Sequence, residues 1–179
     1  ELNNENIETE IFWLGNEPIR GCIGCGRCKK ANNRCFDNDV VNQFLDKAET
    51  ADGFVFGSPV HFASASGAIT SFLDRAFYAG GKYFTGKVCS SVASCRRGGA
   101  TSTFDQLNKY PLINNMYVVG SSYWNQIHGN NREEAMQDLE GVQIMRIIGK
   151  NMADILRCME KANLPKPVYE ESVKTNFIR

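Results

Sequence analysis

Short apolar runs alternate along the chain with stretches in which apolar residues recur every three or four positions. Phe54–Phe56 form a compact apolar run that ends at Gly57 and Pro59, which is typical of a buried strand. The next stretch has the spacing of one helix face, carried by Ile69, Phe72, Leu73, Ala76 and Phe77. Ser64 or Ser66 precedes this stretch, and we expect one of them to cap the helix.

The same alternation extends over the rest of the chain. It predicts strands over 7–14, 88–93 and 115–120, and helices over 40–48, 103–108 and 133–162, the last of them continuous or broken near Gly141. Strands that alternate with helices indicate an α/β protein with a parallel sheet and right-handed crossovers. We therefore predict one domain over 1–163, followed by an extended tail over 164–179.

Composition narrows the classes of function. The chain has 179 residues, enough for one domain with a sizeable core. Lys and Arg together number 20, as do Asp and Glu, so no long-range field favours nucleic acid or an anionic membrane. No apolar run approaches the length of a membrane span, and no signal peptide is visible. Seven cysteines, an odd number, are typical of a reducing compartment, so we predict a cytoplasmic protein.

Three loops that follow predicted strands are rich in small and polar residues. They begin near Gly57, Ser94 and Ser121. The carboxyl ends of parallel strands meet at one edge of a sheet, where open α/β folds bind their ligands. Small residues let the backbone approach a ligand closely, so this edge is the predicted cofactor site.

Several segments carry a family resemblance. Residues 51–62 (ADGFVFGSPVHF), followed by 72–75 (FLDR), resemble the flavin-loop signature of the NADPH-dependent FMN reductase family. Segments 97–101, 123–129 and 137–141 resemble later motifs of that family. The resemblance implies a flavodoxin-like fold, with a five-stranded parallel sheet in the order 2-1-3-4-5 and FMN at the point where the strand order reverses.

The resemblance also implies a site and a reaction. The isoalloxazine ring of FMN would be lined by Ser58, Pro59, Val60, His61 and Phe62, and along its edge by Ser94, Arg96, Gly98 and Gly99. NADPH or NADH would reduce the flavin, which would then reduce a small-molecule acceptor. Because the flavin carries the hydride chemistry, no catalytic side chain is predicted. A homodimer or homotetramer would complete the flavin site.

The beginning of the chain departs from the family pattern. Family members open with a strand and a serine-rich loop that holds the FMN phosphate at a helix N-terminus. Here Ile7–Leu14 corresponds to the family's second strand. We therefore expect the sequence to lack an N-terminal βα unit of roughly 30 residues, and Ile7–Leu14 to lack its neighbour. A strand swapped from another chain and a flavin-free fragment are the alternatives.

Four cysteines are concentrated in one loop as Cys22-x2-Cys25-x2-Cys28-x6-Cys35. Four thiolates hold an iron–sulfur cluster, and the loop resembles that of iron–sulfur flavoproteins, in which a [4Fe–4S] cluster exchanges electrons with FMN. The last spacing is longer than in ferredoxins, and no proline follows Cys35. A zinc site and a loop of thiols without metal therefore remain alternatives. With a cluster, the protein would be an electron carrier.

Other residues are given structural interpretations. Cys95 lies beside Arg96 in the second loop, where packing is favoured over reactivity. Asp74 and Arg75 are interpreted as an ion pair near the end of their helix. His61 is expected to pack beside the flavin ring rather than to transfer protons.

Overall fold

The computed structural model describes residues 1–163, 165, 167–171 and 173–175. In that part of the chain the helices are α1 (Val40–Thr50), α2 (Gly67–Gly80), α3 (Ala100–Ile113), α4 (Arg132–Ala135) and α5 (Leu139–Ala162). The strands are β1 (Gly53–His61), β2 (Ser64–Ala65), β3 (Val88–Cys95), β4 (Tyr117–Val118) and β5 (Gln126–His128). Helices and strands alternate, as the hydrophobic pattern predicts.

The sheet is built around the parallel pair β1 and β3. The two strands are in register from Gly53 opposite Val88 to Pro59 opposite Ser94. Strands β4 and β5 both run parallel to β3, β4 at its start and β5 at its end. The strand predicted over 115–120 is therefore reduced to the two residues of β4, and β5 lies within the segment predicted as the loop that begins near Ser121. Strand β2 turns back on the end of β1 as a short antiparallel hairpin.

Aromatic side chains fill the core between the sheet and helices α1 and α2. Phe44 of α1 lies 5.9 Å from Phe54 of β1 and 5.1 Å from Phe72 of α2, between ring centroids. Phe77 stacks on Phe84 at 4.5 Å. Tilted and edge-to-face rings at such distances are favourable packing geometries. On the other face, α5 packs over a smaller cluster that consists of Val88, Val119, Ile144, Ile148 and Met152.

The strand predicted over 7–14 is absent from this structure. Phe12 and Leu14 pack against the main core, whereas Ile11 and Trp13 are 93% and 72% exposed. The side chains therefore alternate as in a strand, but no strand among the described residues pairs with this segment. A ladder of backbone hydrogen bonds needs such a neighbour, so the prediction of a regular strand is wrong for this chain.

The helix termini follow local capping chemistry. Asp39 accepts a hydrogen bond from Val41 N at 3.0 Å and caps α1. Ser66, not Ser64, is the cap of α2. The helix predicted over 133–162 is divided, because Asp138 starts α5 anew by accepting from Gly141 N at 2.9 Å. No helix in the described ranges is long and apolar enough to cross a membrane. The predicted tail lies partly outside the described residues.

Candidate functional site

The carboxyl ends of β1 and β3 bring the two predicted flavin loops side by side. We call residues 58–63 and 94–99 the carboxyl edge. Pro59 lies opposite Ser94 in the sheet register, so each loop starts at the same level. Gly99 has a φ of +88°, and a Cβ built there would lie 2.6 Å from the Cα of Ala63. Only glycine permits this contact between the loops without strain.

Most of the predicted lining residues are accessible at this edge. Phe62 is 105% exposed and sits at the turn of the β1–β2 hairpin with a φ of +51°. The other exposed members of the predicted set are Pro59, His61, Ser94, Arg96 and Gly98, while Val60 and Gly99 are partly buried. Apolar and small polar groups therefore lie together at this edge, the mixture of groups that lines cofactor sites.

Ser58 differs from the rest of the predicted set because it is only 4% exposed. Its hydroxyl donates to the carbonyl of Pro59 at 2.7 Å and accepts from the amide of Ser66 at 3.0 Å. Both polar functions of the hydroxyl are used within the protein. Ser58 thus ties the end of β1 to the beginning of α2.

The third loop is fixed to the same edge by a buried asparagine that the sequence did not single out. Asn125 is 1% exposed, and its amide donates to Ser90 Oγ at 3.0 Å and to Ser91 O at 3.1 Å. Its Oδ1 accepts from Ser121 Oγ at 2.7 Å. These bonds leave Tyr123 and Trp124 about half exposed next to the carboxyl edge. The sequence signal for Asn125 is its position directly before a strand.

His128 and Asp138 form a polar pair at the end of β5. The Nδ1 of His128 lies 3.2 Å from Asp138 Oδ2, which also accepts from the His128 amide at 2.8 Å. Burial would raise the pKa of Asp138, but the N–H donors of Gly141 and His128 outweigh it and hold that pKa below its usual value. Asp138 therefore orients His128 while it caps α5.

Cys95 is enclosed rather than presented to solvent. It is 6% exposed, and burial raises the pKa of its thiol, although the amides of Arg97 and Ala100 act in the opposite direction. Burial also raises the pKa of Cys89 to about 12. A buried thiol with a raised pKa is a compact apolar group, so the packing interpretation of Cys95 agrees with this geometry.

The four loop cysteines surround a second feature, which we call the cysteine pocket. Its lining includes Cys22, Cys25, Cys28 and Cys35. Cys28 is buried and Cys35 partly buried, whereas Cys22 and Cys25 are exposed. In the described part of the chain, no three His, Cys, Asp or Glu side chains converge closely enough to hold a metal ion. The donor chemistry fits a cluster of four thiolates, although the thiols surround the pocket without meeting.

Arg75 forms the floor of the cysteine pocket, and its interpretation as the partner of Asp74 is wrong. Its Nη1 donates to Asp39 Oδ2 at 2.6 Å. Asp74 instead accepts from Tyr110 Oη at 2.7 Å, and burial together with this contact raises the pKa of Tyr110. The only sequence signal for Arg75 is a charge between the apolar positions of α2, because its partner is 36 residues away.

Asn42 fixes the position of Cys35 and was also missed. Its Oδ1 accepts from Cys35 N and its Nδ2 donates to Cys35 O, both at 2.8 Å. Asn42 is 6% exposed and lies in the first turn of α1. Nothing in the local sequence pattern indicates that an asparagine in the first turn of a helix would bond a backbone seven residues earlier.

Comparisons with known proteins agree with this geometry. The sequence profile of NADPH-dependent FMN reductases matches residues 1–131. An iron–sulfur flavoprotein of Methanocaldococcus jannaschii is 32% identical over 168 residues, which cover 89% of this chain and 86% of that protein.

Solved structures of other proteins share the fold of this chain. A flavodoxin, WrbA-like protein of Agrobacterium tumefaciens superposes with a TM-score of 0.55 at 20% identity, over 65% of this chain and 73% of that one. The flavoenzyme NAD(P)H:(acceptor) oxidoreductase FerB of Paracoccus denitrificans gives 0.62 at 15% identity, over 88% and 84%. The predicted flavodoxin-like α/β fold is confirmed.

Proposed function

The chain belongs to the NADPH-dependent FMN reductase family, and on that premise we propose that it is an FMN-dependent oxidoreductase whose flavin takes electrons from NADPH or NADH and passes them to a small acceptor. The observation that carries the proposal is the carboxyl edge, where the loops after β1 and β3 touch through Gly99. This edge is where flavodoxin-like folds hold their cofactor.

The residues of the carboxyl edge have different parts in this proposal. His61 and Phe62 would cover the apolar ring surface, while the backbone at Gly98 and the side chains of Ser94 and Arg96 would meet its polar edge. Bound FMN supplies hydride and single-electron chemistry. Ser58 holds the loop in position through its hydrogen bonds to Pro59 O and Ser66 N. The protein thus orients and covers the cofactor without an acid–base pair.

Flavin titration followed by reduction tests this proposal. The purified protein is titrated with FMN under anaerobic conditions, and NADPH or NADH is then added while the flavin absorbance is followed. We expect saturable FMN binding and bleaching of the bound flavin by at least one of the two nucleotides. FMN that does not bind would contradict the proposal, and bound FMN that neither nucleotide bleaches would remove its nucleotide step.

We infer a second electron site at the cysteine pocket, where Cys22, Cys25, Cys28 and Cys35 would hold a [4Fe–4S] cluster that exchanges single electrons with FMN. Two observations favour it. All four thiols line one pocket, and the floor of that pocket is a buried guanidinium. The relative at 32% identity is named an iron–sulfur flavoprotein. Ligation would draw the exposed Cys22 and Cys25 inward.

Iron and sulfide analysis after anaerobic reconstitution tests the cluster. We expect about four iron atoms for each chain, as a [4Fe–4S] centre requires. Cys28→Ala should lose the iron, whereas Cys89→Ala, also a buried thiol but within β3, should retain it. Equal iron in both variants, or no iron in the parent protein, would contradict this site. One tightly held zinc ion in place of iron would favour the zinc alternative.

A homodimer or homotetramer that completes the flavin site and a cytoplasmic location remain part of the proposal. Tyr123 and Trp124 are half exposed beside the carboxyl edge, with ring centroids 4.4 Å apart. A second copy of the chain would cover such a pair of aromatic rings. Sedimentation of the FMN-loaded protein distinguishes a monomer from a dimer or tetramer.

A further inference from the structure

Arg75 is a charged side chain enclosed by the core. It is 2% exposed, and α2 places it between Leu73 and Ala76, both of which are fully buried. A buried guanidinium is costly unless it is paired and all its donors are used. Nη1 and Nη2 of Arg75 donate to the two carboxylate oxygens of Asp39 at 2.6 and 2.9 Å. Asp39 therefore compensates the charge of Arg75 through a bidentate ion pair.

N–H groups of the Arg75 guanidinium also lie within hydrogen-bonding distance of a cysteine sulfur. Nε and Nη2 each lie 3.3 Å from Cys35 Sγ. Two backbone carbonyls, of Arg20 and Asp37, accept from the same guanidinium at 3.4 and 3.2 Å. A guanidinium is not deprotonated in proteins. Arg75 thus remains a cation against the sulfur.

The backbone of Cys35 is held in place by Asn42. Asn42 bonds both the N–H and the C=O of Cys35 at 2.8 Å. The Sγ is therefore held from the backbone side by Asn42 and from the other side by Arg75. A neutral thiol is a weak acceptor, whereas a sulfur that ligates iron carries negative charge and accepts strongly. Two N–H groups on one sulfur are the arrangement that such a ligand needs.

Further cations stand around the cysteine pocket. The guanidinium carbons of Arg20 and Arg27 lie 5.2 and 4.7 Å from the ring centroid of Phe36. Arg20 is itself paired with Asp37 at 3.2 Å, so part of its charge is compensated. The two arginines that line the pocket, Arg20 and Arg75, are thus each paired with an aspartate, so the pocket has no large net positive charge. A cluster with four thiolates is an anion that gains one more negative charge when it accepts an electron, and hydrogen bonds to its sulfurs favour that reduced state.

We propose that Arg75 is a positioning residue that raises the reduction potential of a cluster held by Cys22, Cys25, Cys28 and Cys35, through its two hydrogen bonds to Cys35 Sγ. The inference rests on the cluster proposed above. The couple is a one-electron reduction, with the electron supplied by the flavin or, in a titration, by a chemical reductant. Asp39 moderates the effect, because its carboxylate compensates part of the Arg75 charge.

Anaerobic redox titration of the reconstituted protein, monitored by electron paramagnetic resonance, tests the proposal. In Arg75→Gln the reduction should become about tenfold less favourable, which is about 59 mV for a one-electron couple. Arg75→Lys keeps the charge but loses the guanidinium geometry, so its reduction potential should lie between those of the parent protein and Arg75→Gln. Asp39→Asn should move the potential in the opposite direction, upward, because Asn still caps α1 while the guanidinium loses its counter-charge. A merely structural role would not produce opposite signs.

Arg34→Gln is the matched control. Arg34 precedes Cys35 in sequence, but its contacts are with Asp46, Glu49 and Tyr83, so its removal should leave the potential unchanged. A loaded Arg75→Gln protein with the parent potential overturns the inference and leaves the cluster proposal intact. A parent protein that binds no iron overturns the cluster proposal instead. If Arg75→Gln does not fold, Asp39→Asn decides, and the absence of an upward shift overturns the inference.

Discussion

The carboxyl edge and the cysteine pocket are held together by different kinds of contact. At the edge, two loops meet through backbone and small side chains, with Gly99 against Ala63 and Ser58 bonded to Ser66. At the pocket, the buried side chain of Arg75 binds residues 36 to 55 positions away in sequence. The edge therefore depends on the shape of its backbone, whereas the pocket depends on compensated charge.

The two kinds of contact suit the different functions proposed for the two regions. A flavin ring needs accessible polar and apolar atoms, and the edge leaves Phe62 fully exposed. A cluster needs sulfurs that are fixed and shielded, and the pocket anchors Cys35 through Asn42 and Arg75. Substitutions at the two regions should therefore separate flavin binding from iron binding.

The largest effect is expected in the pocket. Asn42→Ala removes the partners of the Cys35 N–H and C=O, and each buried group left unpaired costs on the order of 1–3 kcal/mol. We expect the free energy of unfolding to fall by about 3 kcal/mol and iron binding to weaken, with FMN binding in the folded protein unchanged. Urea unfolding and iron analysis measure this. Asn151→Ala, which loses one exposed bond to Gly120 O, is the control and should change stability by less than about 0.5 kcal/mol.

The next largest effect is expected for substitution of Gly99 but not of Gly98, two adjacent glycines of the carboxyl edge. Gly99→Ala places a Cβ against Ala63 at a φ of +88°, and should lower stability by about 2 kcal/mol and weaken FMN binding at least tenfold. Gly98→Ala meets nothing within 4 Å and should be tolerated. Thermal unfolding and FMN titration report the difference. Equal behaviour of the two variants would mean that the loop contact through Gly99 is unimportant.

A smaller effect is pH-dependent. The pKa of Asp138 is held below its usual value, so its charged form stabilises the fold above about pH 4 and this contribution is lost as the pH falls further. Asp138→Asn should therefore cost about 1 kcal/mol at pH 7, and the difference from the parent should shrink at pH 3. Urea unfolding at both pH values measures it, with the exposed Glu140→Gln as control. A difference of equal size at both pH values would contradict this role.

The smallest change in stability is expected at Phe62. Its ring is fully exposed, so Phe62→Ala should alter the free energy of unfolding by less than about 0.5 kcal/mol. If the ring covers the flavin, the dissociation constant of FMN should rise about two- to tenfold, since such ring contacts contribute roughly 0.5–1.5 kcal/mol. Ile113→Ala, also exposed but at the far end of α3, should leave FMN binding unchanged. Unaltered FMN affinity in Phe62→Ala would remove Phe62 from the lining.

Sequence patterns predicted those parts of the fold that are determined locally. Apolar spacing located α1, α2 and the core of β1. The loops of the carboxyl edge were also predicted, because the ends of parallel strands converge wherever a parallel sheet forms. The segment 7–14 shows the limit: its apolar side chains predicted a strand, but a strand also requires a neighbour, and that is not a local property.

The sequence by itself therefore determined the α/β class, the carboxyl edge and the presence of four clustered cysteines. The tertiary structure decided which charged side chains serve them. Arg75 is separated from Cys35 by 40 residues and from Asp39 by 36, and nothing in its local pattern specifies either partner. Pairings of this kind arise only when packing buries a charge and leaves its donors to be satisfied by distant groups.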